Sequence, residues 1–263
     1  MHKLSNMSRQ QMDEIKIILT DIDDTITTDG SLKSSSYNAL ERLSNGGYIV
    51  IPVTGRCAGW CDHIARMWPV NGVVGENGAF FFSYDHQSKK MLHAYSQGEK
   101  ERNDNKKTLQ KIKKIILNTI PGSALASDQD YRKTDLAIDF AEDVPRLSTS
   151  NIKEIVNIAI KAGATAKVSS IHVNCWIGNH NKLNTTIKIL QQNFGMIDSD
   201  LQKKVLFIGD SPNDSMMFGY FDQSVGVANV RDFIDEIDEL PKYITSHHSG
   251  EGFVELANYL LNR

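Results

Sequence analysis

The sequence is poor in cysteine and has no apolar run long enough to cross a membrane. Its 263 residues include three cysteines, which are too few for a disulfide scaffold. Cys57 and Cys61 are spaced like a metal-binding pair, but no second cysteine or histidine pair completes a tetrahedral set, and Cys175 stands alone; ordinary structural thiols are favoured. Residues 1–14 lack the apolar core of a signal peptide and are predicted to form a loose tail, so we expect a cytoplasmic protein.

An excess of positive charge is also missing. The chain carries 29 lysines and arginines against 32 aspartates and glutamates, a formal net charge of −3. A protein that binds nucleic acid normally presents a broad basic surface, so neither nucleic acid nor a membrane is an expected partner. Hydrophobic residues make up 40% of the chain, which is ordinary for a globular protein of one or two domains.

Short apolar runs rich in β-branched residues alternate with helical patterns in the first third of the chain. Residues 15–20, 48–54 and 72–74 have the pattern of buried strands. Helices are predicted over residues 34–45 and 60–67, between these strands. This alternation predicts a parallel sheet covered by helices on both faces, which is an α/β fold.

The pattern changes in the middle of the chain. A hairpin is predicted over residues 79–96, and a helix follows with Leu109, Ile112 and Ile116 on one face. The next predicted elements are a strand at 136–140, a helix at 152–162 and strands at 166–170 and 171–176. After Trp176 the first pattern resumes with a helix after Lys182 and a buried strand over 204–210. We therefore predict an α/β domain in two pieces, residues 1–96 and 178–263, around an inserted α+β domain at residues 97–177.

Three carboxylates follow the first predicted strand within four residues. Asp21, Asp23 and Asp24 come directly after the apolar run that ends at Thr20. One acidic residue at a strand end is often only a turn or helix-capping residue. Three of them repel one another unless a cation or a shared proton holds them, which favours a metal or acid–base site.

Polar residues also follow the strand that ends near residue 54. Thr54, Gly55 and Arg56 combine a hydroxyl, a residue that lets the backbone approach closely, and a guanidinium. This combination suits an anion, although a Thr-Gly pair is also common in ordinary turns.

A third polar group follows the strand over 204–210. Asp210, Asn213 and Asp214 offer the oxygen ligands that Mg²⁺ prefers. A helix start with Pro212 in its first turn would explain part of this loop, but not Asp210. Because parallel strands end at one edge of a sheet, where ligands bind in open α/β folds, we expect the three polar groups to meet.

The ordered motifs resemble those of the haloacid dehalogenase-like phosphatases. They are D-x-D-x-T at residues 21–25, T-G-R at 54–56, an isolated Lys182 and G-D-x-x-N-D at 209–214. Each motif alone is weak, whereas the ordered set is specific and extends over the whole α/β core. The α+β insert between the second and third motifs is similar to the cap of the Cof-like, type IIB members, among them sucrose-phosphate phosphatase and mannosyl-phosphoglycerate phosphatase. The implied fold is a Rossmann-like core with an inserted cap domain.

The resemblance implies a Mg²⁺-dependent phosphatase that acts on a small phosphomonoester, most simply a sugar phosphate, through an aspartyl-phosphate intermediate. It implies that Asp21 is the nucleophile and that Asp23 is the general acid and base. The implied Mg²⁺ ligands are a carboxylate oxygen of Asp21, the backbone carbonyl of Asp23 and Asp210, with Asp214 completing or orienting the set. The implied phosphate-binding residues are Thr54, Gly55, Lys182 and Asn213.

Two positions depart from the family pattern. Asp24 stands where the family usually has glycine, although sucrose-phosphate phosphatases also lack that glycine. Lys182 lacks the usual following glycine, and its plain alternative is a solvated lysine at a helix start.

The cap is expected to set specificity, because it would close over the sheet edge and contact the leaving group. His172, Asn174 and Trp176 alternate on one strand and therefore share one face. This stripe suits a sugar, but it could equally be a solvated sheet face. Further candidate substrate residues are Arg132 and Lys133 in the cap, with Arg56, Glu76 and Asn77 on the core side.

Two other functions remain open at this stage. A phosphomutase similar to phosphomannomutase would use the same nucleophile and would have to reorient a bisphosphate. A receiver-like domain that only accepts phosphate on an aspartate would need no cap and no acid at Asp23, and is disfavoured. The sequence is compatible with a monomer or a homodimer.

Overall fold

The structure is a computed structural model that describes residues 1–169 and 171–262. Ser170, the last residue of the strand predicted over 166–170, and Arg263 lie outside the described residues. The described residues form thirteen strands, β1 (His2–Lys3), β2 (Ile17–Thr20), β3 (Ile49–Pro52), β4 (Val73–Gly75), β5 (Phe80–Asp85), β6 (Lys90–Tyr95), β7 (Ala124–Leu125), β8 (Asp135–Asp139), β9 (Thr165–Val168), β10 (His172–Trp176), β11 (Val205–Gly209), β12 (Gln223–Gly226) and β13 (Tyr243–Ile244).

The α-helices of the described residues are α1 (Arg9–Glu14), α2 (Ser34–Asn45), α3 (Ala58–Met67), α4 (Glu99–Thr119), α5 (Thr149–Lys161), α6 (Lys182–Phe194), α7 (Asp198–Lys204), α8 (Ser215–Tyr220) and α9 (Ser249–Leu261). Among the described residues, no helix combines the length and the apolar character that crossing a membrane requires.

Six strands form the central parallel sheet, in the order β1-β13-β12-β11-β2-β3. Every residue of β2 and β11 is buried, as expected for inner strands of a sheet covered on both faces. Ile18 and Ile208 pack in a cluster with residues of α2 and α9, whereas Leu19 and Phe207 pack in a second cluster with residues of α6 and α8. The predicted α/β sheet with helices on both faces is therefore confirmed.

The predicted hairpin is β5 and β6, which pair antiparallel next to β4. This small sheet joins the central one through a parallel bridge between Val53 and Val74. Consequently the segment after β4 lies beside the segment after β3, at the same edge as the carboxyl ends of the central strands.

The inserted α+β block forms an antiparallel sheet in the order β7-β8-β10-β9, with α4 and α5 packed on one face. Leu136 and Ile138 of β8 join Val173 and Cys175 of β10 in the cluster beneath these helices. The intervening residues of both strands point to the opposite face, because side chains alternate along a strand. We propose residues 97–177 as the extent of this unit, which is called the cap below.

The prediction of a loose N-terminal tail is wrong. The strand β1 pairs with β13 at the edge of the central sheet, and Leu4 and Met7 are buried in the core. Ser8 and Gln11 form a capping box at the start of α1. The few apolar residues of this polar segment give too weak a periodicity to predict these contacts, which only the folded sheet edge provides.

Candidate active site

Three buried carboxylates meet at the carboxyl edge of the central sheet. One oxygen from each of Asp21, Asp210 and Asp214 lies within 4.8 Å of the others. Asp21 follows β2 and Asp210 follows β11, which are neighbouring parallel strands, while Asp214 ends a short 3-10 turn at Pro212–Asp214. Burial, reinforced by the nearby carboxylates, raises the pKa of Asp21 to about 7 despite the opposing charge of Lys182. Burial likewise raises the pKa of Asp210.

Lys182, the first residue of α6, places its ammonium against this cluster. Its Nζ lies 2.9 Å from Oδ1 of Asp21, 2.8 Å from Oδ1 of Asp214 and 3.4 Å from Oδ1 of Asn213. Burial alone would lower the pKa of Lys182, but the charges of Asp21 and Asp214 outweigh it and raise that pKa above its usual value. The side chain is only 4% exposed, so the alternative of a solvated helix-start lysine is wrong.

The backbone after β11 orients the carboxylate of Asp214. Its Oδ2 accepts hydrogen bonds from the backbone N–H of Asp210 and of Ser211, at 3.1 and 3.4 Å. Gly209 is required beside it, because a Cβ at that position would lie 2.4 Å from the same oxygen. Asp214 is therefore held from two sides, by backbone N–H groups and by Lys182.

Asn229 is a site residue to which the sequence analysis assigned no role. Its Nδ2 donates to Oδ2 of Asp210 at 3.2 Å and to the backbone oxygen of Asp24 at 3.0 Å, and Thr25 donates to Oδ1 of Asp210. The available signal was positional, since Asn229 follows β12 at the same sheet edge. Its contacts fix Asp210 relative to the loop that carries Asp21 and Asp23.

The donor set fits a divalent cation that prefers oxygen. Asp21, Asp210 and Asp214 supply only carboxylate oxygens, and Lys182 supplies one positive charge against three negative ones. A small hard cation would relieve the remaining repulsion and is compatible with carboxylates that keep some water.

Asp23 is not part of the acidic cluster and binds Arg56 instead. The guanidinium of Arg56 donates hydrogen bonds to the carboxylate of Asp23, with Nε 3.0 Å from both oxygens and Nη2 2.8 Å from Oδ1. Its carboxylate is thus placed for a different task from that of Asp21, and the predicted metal contact through its backbone carbonyl stays a prediction. Thr54, two residues after β3, is completely buried, and its Oγ1 accepts a hydrogen bond from the backbone N–H of Arg56.

A cavity of about 20 Å³ separates the cap from the core above Asp21 and Asp23. Its core side is lined by Asp21, Asp23, Gly55, Arg56, Ser211 and Asn213, and its cap side by Arg132, Ser169, Ile171, His172 and Asn174. A larger groove of about 670 Å³ lies next to it, shares Asn213 with it, and is bordered by Lys182, Asn77, Trp176 and His180. The cap thus lies closed over the carboxylates, with the groove beside them.

The predicted stripe on β10 is buried against the core. His172, Asn174 and Trp176 are each 3% exposed or less, so the alternative of a solvated sheet face is wrong. Nε1 of Trp176 donates to the backbone oxygen of His180, and His172 contacts Glu142. Asn174 borders the small cavity, and its Oδ1 has no hydrogen-bond partner among the described residues.

The amides of Asn77 and Asn174 both lie close to Gly55. A Cβ there would lie 3.4 Å from Nδ2 of Asn174 and 3.2 Å from Nδ2 of Asn77. Nδ2 of Asn77 is likewise buried without a partner among the described residues. One amide from the core and one from the cap therefore converge on Gly55.

Arg132 is occupied by protein groups. Its guanidinium is held by Asp128 and Asp135 in the cap, and Nη1 donates to the backbone oxygen of Gly55 at 3.0 Å. The charges of the two aspartates outweigh the effect of burial and raise the pKa of Arg132 above its usual value. Arg132 therefore joins the cap to the core, and little of its hydrogen-bonding capacity is left for a substrate.

The loops around the site contain non-glycine residues in the left-handed backbone region. Asp24 has φ +53°, Glu76 +43° and Asn77 +55°. Such conformations are uncommon outside glycine and often occur at functional sites. Asp24 occupies the position where the similar family usually has glycine, which adopts this conformation freely.

The chain is similar in sequence to known proteins. The sequence model of the haloacid dehalogenase-like hydrolase family matches residues 18–197. A curated relative, phosphoglycolate phosphatase 1 of Saccharolobus solfataricus, is 27% identical over 251 residues, which are 94% of this chain and 96% of the relative.

Two solved structures show the same fold at low sequence identity. A Thermoplasma acidophilum protein is 16% identical with a TM-score of 0.71, covering 94% of this chain and 98% of its own. The sucrose-phosphatase of Synechocystis, solved with sucrose and phosphate, is 16% identical with a TM-score of 0.64, covering 93% of this chain and 97% of its own. Core and cap are thus both included in these similarities.

Proposed function

The chain belongs to the haloacid dehalogenase-like hydrolases, and we propose that it is a Mg²⁺-dependent phosphatase for a small phosphomonoester of the sugar-phosphate class. The observation that carries this proposal is the pairing of two differently placed carboxylates. Asp21 lies in the buried acidic cluster beside Lys182, and Asp23 faces the cap across the same small cavity. Phosphatase relatives and neighbours support the same reaction class.

In the first step, a carboxylate oxygen of Asp21 attacks phosphorus. The new bond between oxygen and phosphorus forms as the bond to the leaving oxygen breaks, and the electron pair stays on that oxygen. Asp23 supplies the proton that this oxygen takes up, which yields the free alcohol and an aspartyl phosphate on Asp21. The two carboxylates line one cavity, as this division of roles requires.

In the second step, water attacks the aspartyl phosphate. Asp23, now a carboxylate, accepts a proton from that water, and the bond between phosphorus and Asp21 breaks. Inorganic phosphate leaves, and Asp21 returns to its starting form. Closure of the cap limits bulk water during the first step, consistent with a cavity with room for about one water molecule.

Asp21 and Asp210 would bind Mg²⁺ directly, and Asp214 would complete or orient the set. The bound cation supplies charge neutralisation, which lowers the repulsion between the carboxylates and an approaching phosphate dianion. Lys182 and Asn213 would bind phosphoryl oxygens together with Thr54 and the backbone at Gly55. Lys182 already contacts Asp21, so it lies where negative charge develops.

Phosphate release from a panel of phosphomonoesters, measured with Mg²⁺ and with EDTA, tests the proposal. We expect Mg²⁺-dependent release from at least one small phosphomonoester and none from the Asp21→Asn variant. Asp222→Asn, at an exposed position, is the matched control and should keep wild-type activity. Full activity of Asp21→Asn would overturn the mechanism, and activation of an isomerisation by added bisphosphate would favour a phosphomutase.

A further inference from the structure

The carboxylate of Glu142 in the cap contacts Arg56, the same arginine that binds Asp23. Nη1 of Arg56 lies 3.2 Å from Oε1 of Glu142, while its Nε and Nη2 hold Asp23. The guanidinium also stacks on Trp60, 4.6 Å from the ring centroid. Arg56 is therefore fixed by the core on one side and by the cap on the other.

The loop that carries Glu142 is itself well ordered by hydrogen bonds. The carboxylate of Asp139, at the end of β8, accepts hydrogen bonds from three consecutive backbone N–H groups, those of Ala141, Glu142 and Asp143. Oε2 of Glu142 lies 2.8 Å from Nε2 of His172 on β10. Two strands of the cap sheet thus determine where the carboxylate of Glu142 stands.

Contact with His172, together with the charge of Arg56, lowers the pKa of Glu142 to about 2, although burial opposes it. Glu142 is consequently an anion at neutral pH and can pair with Arg56 whenever the cap is closed. If the cap moves away, Arg56 loses this partner and keeps only its contacts within the core.

We propose that Glu142 is a positioning residue, which upon cap closure locks the Arg56 guanidinium and so orients the carboxylate of Asp23 for proton transfer. This inference rests on the proposed function, because it assigns Asp23 as the acid. Arg56 forms a planar fork with fixed donor directions, so restraining the guanidinium restrains the carboxylate that it binds. Among the described residues, the carboxylate of Glu142 pairs with Arg56 and His172 and not with Asp21 or Asp23, so Glu142 acts through Arg56.

Leaving groups of different basicity distinguish positioning from mere structural support. An alkyl phosphate needs a proton on its leaving oxygen, whereas p-nitrophenolate leaves readily without one. Because kcat/KM covers the steps up to departure of the leaving group, misplacing Asp23 should lower kcat/KM for the alkyl ester more than for p-nitrophenyl phosphate.

The test compares Glu142→Gln with wild type in the presence of Mg²⁺. We expect kcat/KM to fall about 10-fold for an alkyl phosphate and only about 2-fold for p-nitrophenyl phosphate. Glu142→Asp, which keeps the charge but is too short to span both His172 and Arg56, should show the same asymmetry. The adjacent exposed carboxylate provides the matched control, since Asp143→Asn removes one charge from the same loop and should leave both values unchanged.

Combining Glu142→Gln with Arg56→Lys adds a second check. If Glu142 acts through Arg56, the double variant should lose little more than Arg56→Lys alone, because residues in one chain of contacts are not additive. The inference would be overturned if Glu142→Gln lowered kcat/KM equally for both esters or not at all. It would also be overturned by an effect of the same size in Asp143→Asn, or by additive losses of kcat/KM in the double variant. Failure of the proposed function has another signature, namely no hydrolysis by wild type or full activity of Asp21→Asn.

Discussion

The carboxylate of Glu76, in the α/β core, accepts a hydrogen bond of 2.7 Å from the backbone N–H of Thr134 in the cap. It also accepts hydrogen bonds from the hydroxyl of Thr134 and from the backbone N–H groups of Lys133 and Ala58. Glu76 is completely buried, so one anion of the core satisfies several donors of a cap loop. The loop that carries Arg132 is thereby tied to the core beside the active-site cavity.

Replacing Glu76 tests this connection. In Glu76→Gln one oxygen becomes an NH2 group that faces backbone donors, which leaves buried N–H groups unsatisfied. We expect the free energy of unfolding to fall by about 2–4 kcal/mol in urea denaturation. Glu41→Gln, on an exposed face of α2, should change it by less than about 0.5 kcal/mol. Equal stability of the two variants would show that the buried carboxylate contributes nothing.

Asp24, which departs from the family pattern, has a left-handed backbone conformation that can be tested by substitution. Glycine adopts φ near +53° without strain, whereas a β-branched residue does not. Asp24→Gly should therefore keep activity and lie within about 1 kcal/mol of wild type in unfolding free energy, while Asp24→Val should lose about 2 kcal/mol. Chemical denaturation and phosphate release check both variants. Loss of activity in a stable Asp24→Gly protein would instead reveal a role for the carboxylate.

Mg²⁺ is expected to stabilise the folded protein through the acidic cluster. A ligand that binds only the native state raises the free energy of unfolding, by about 2.7 kcal/mol at one hundred times its Kd. The melting temperature should rise with Mg²⁺ concentration in wild type and much less in Asp210→Asn. Asp222→Asn, which removes an exposed carboxylate of the core, should respond as wild type does. An unchanged response in Asp210→Asn would place the binding site elsewhere.

His180 should make the stability of the protein depend on pH. Burial lowers the pKa of His180 to about 4, both ring nitrogens lack a hydrogen-bond partner among the described residues, and the ring stacks on Trp176. The unfolded chain then binds more protons than the native state between pH 4 and about 6.5, so stability falls as the pH is lowered through that range.

Lowering the pH from 7 to 4 should reduce the free energy of unfolding by at most about 3 kcal/mol through His180. His180→Phe, which keeps an aromatic ring against Trp176, should remove this pH dependence. Urea denaturation of both proteins at several pH values between 4 and 7 measures the difference. Parallel stability curves for wild type and variant would contradict the prediction.

Several site residues could be predicted because their positions follow from local sequence. Asp21 and Asp210 each directly follow a fully buried strand, and neighbouring parallel strands end at the same edge. Lys182 starts a recognisable helix at the beginning of the third segment. Two other residues were harder to predict, namely Asn229, which contacts Asp210, and Glu142, which contacts Arg56. Neither belongs to a recognisable motif, and both contact residues that are distant in sequence.

The sequence by itself determined the alternation of strands and helices, the α+β insert and the placement of carboxylates after β2 and β11. These features depend on periodicity and on the order of elements, which a single chain displays directly. Only the tertiary structure decided that the N-terminal residues complete the sheet, that Arg132 is held by Asp128 and Asp135, and that Arg56 joins Asp23 to Glu142. The pairing of β1 with β13 and the contact of Arg56 with Glu142 join residues far apart in the sequence, and the second of them depends on the docking of the cap on the core. Arg132 is close in sequence to both of its aspartates, but the sequence pattern does not show which partners a guanidinium will take.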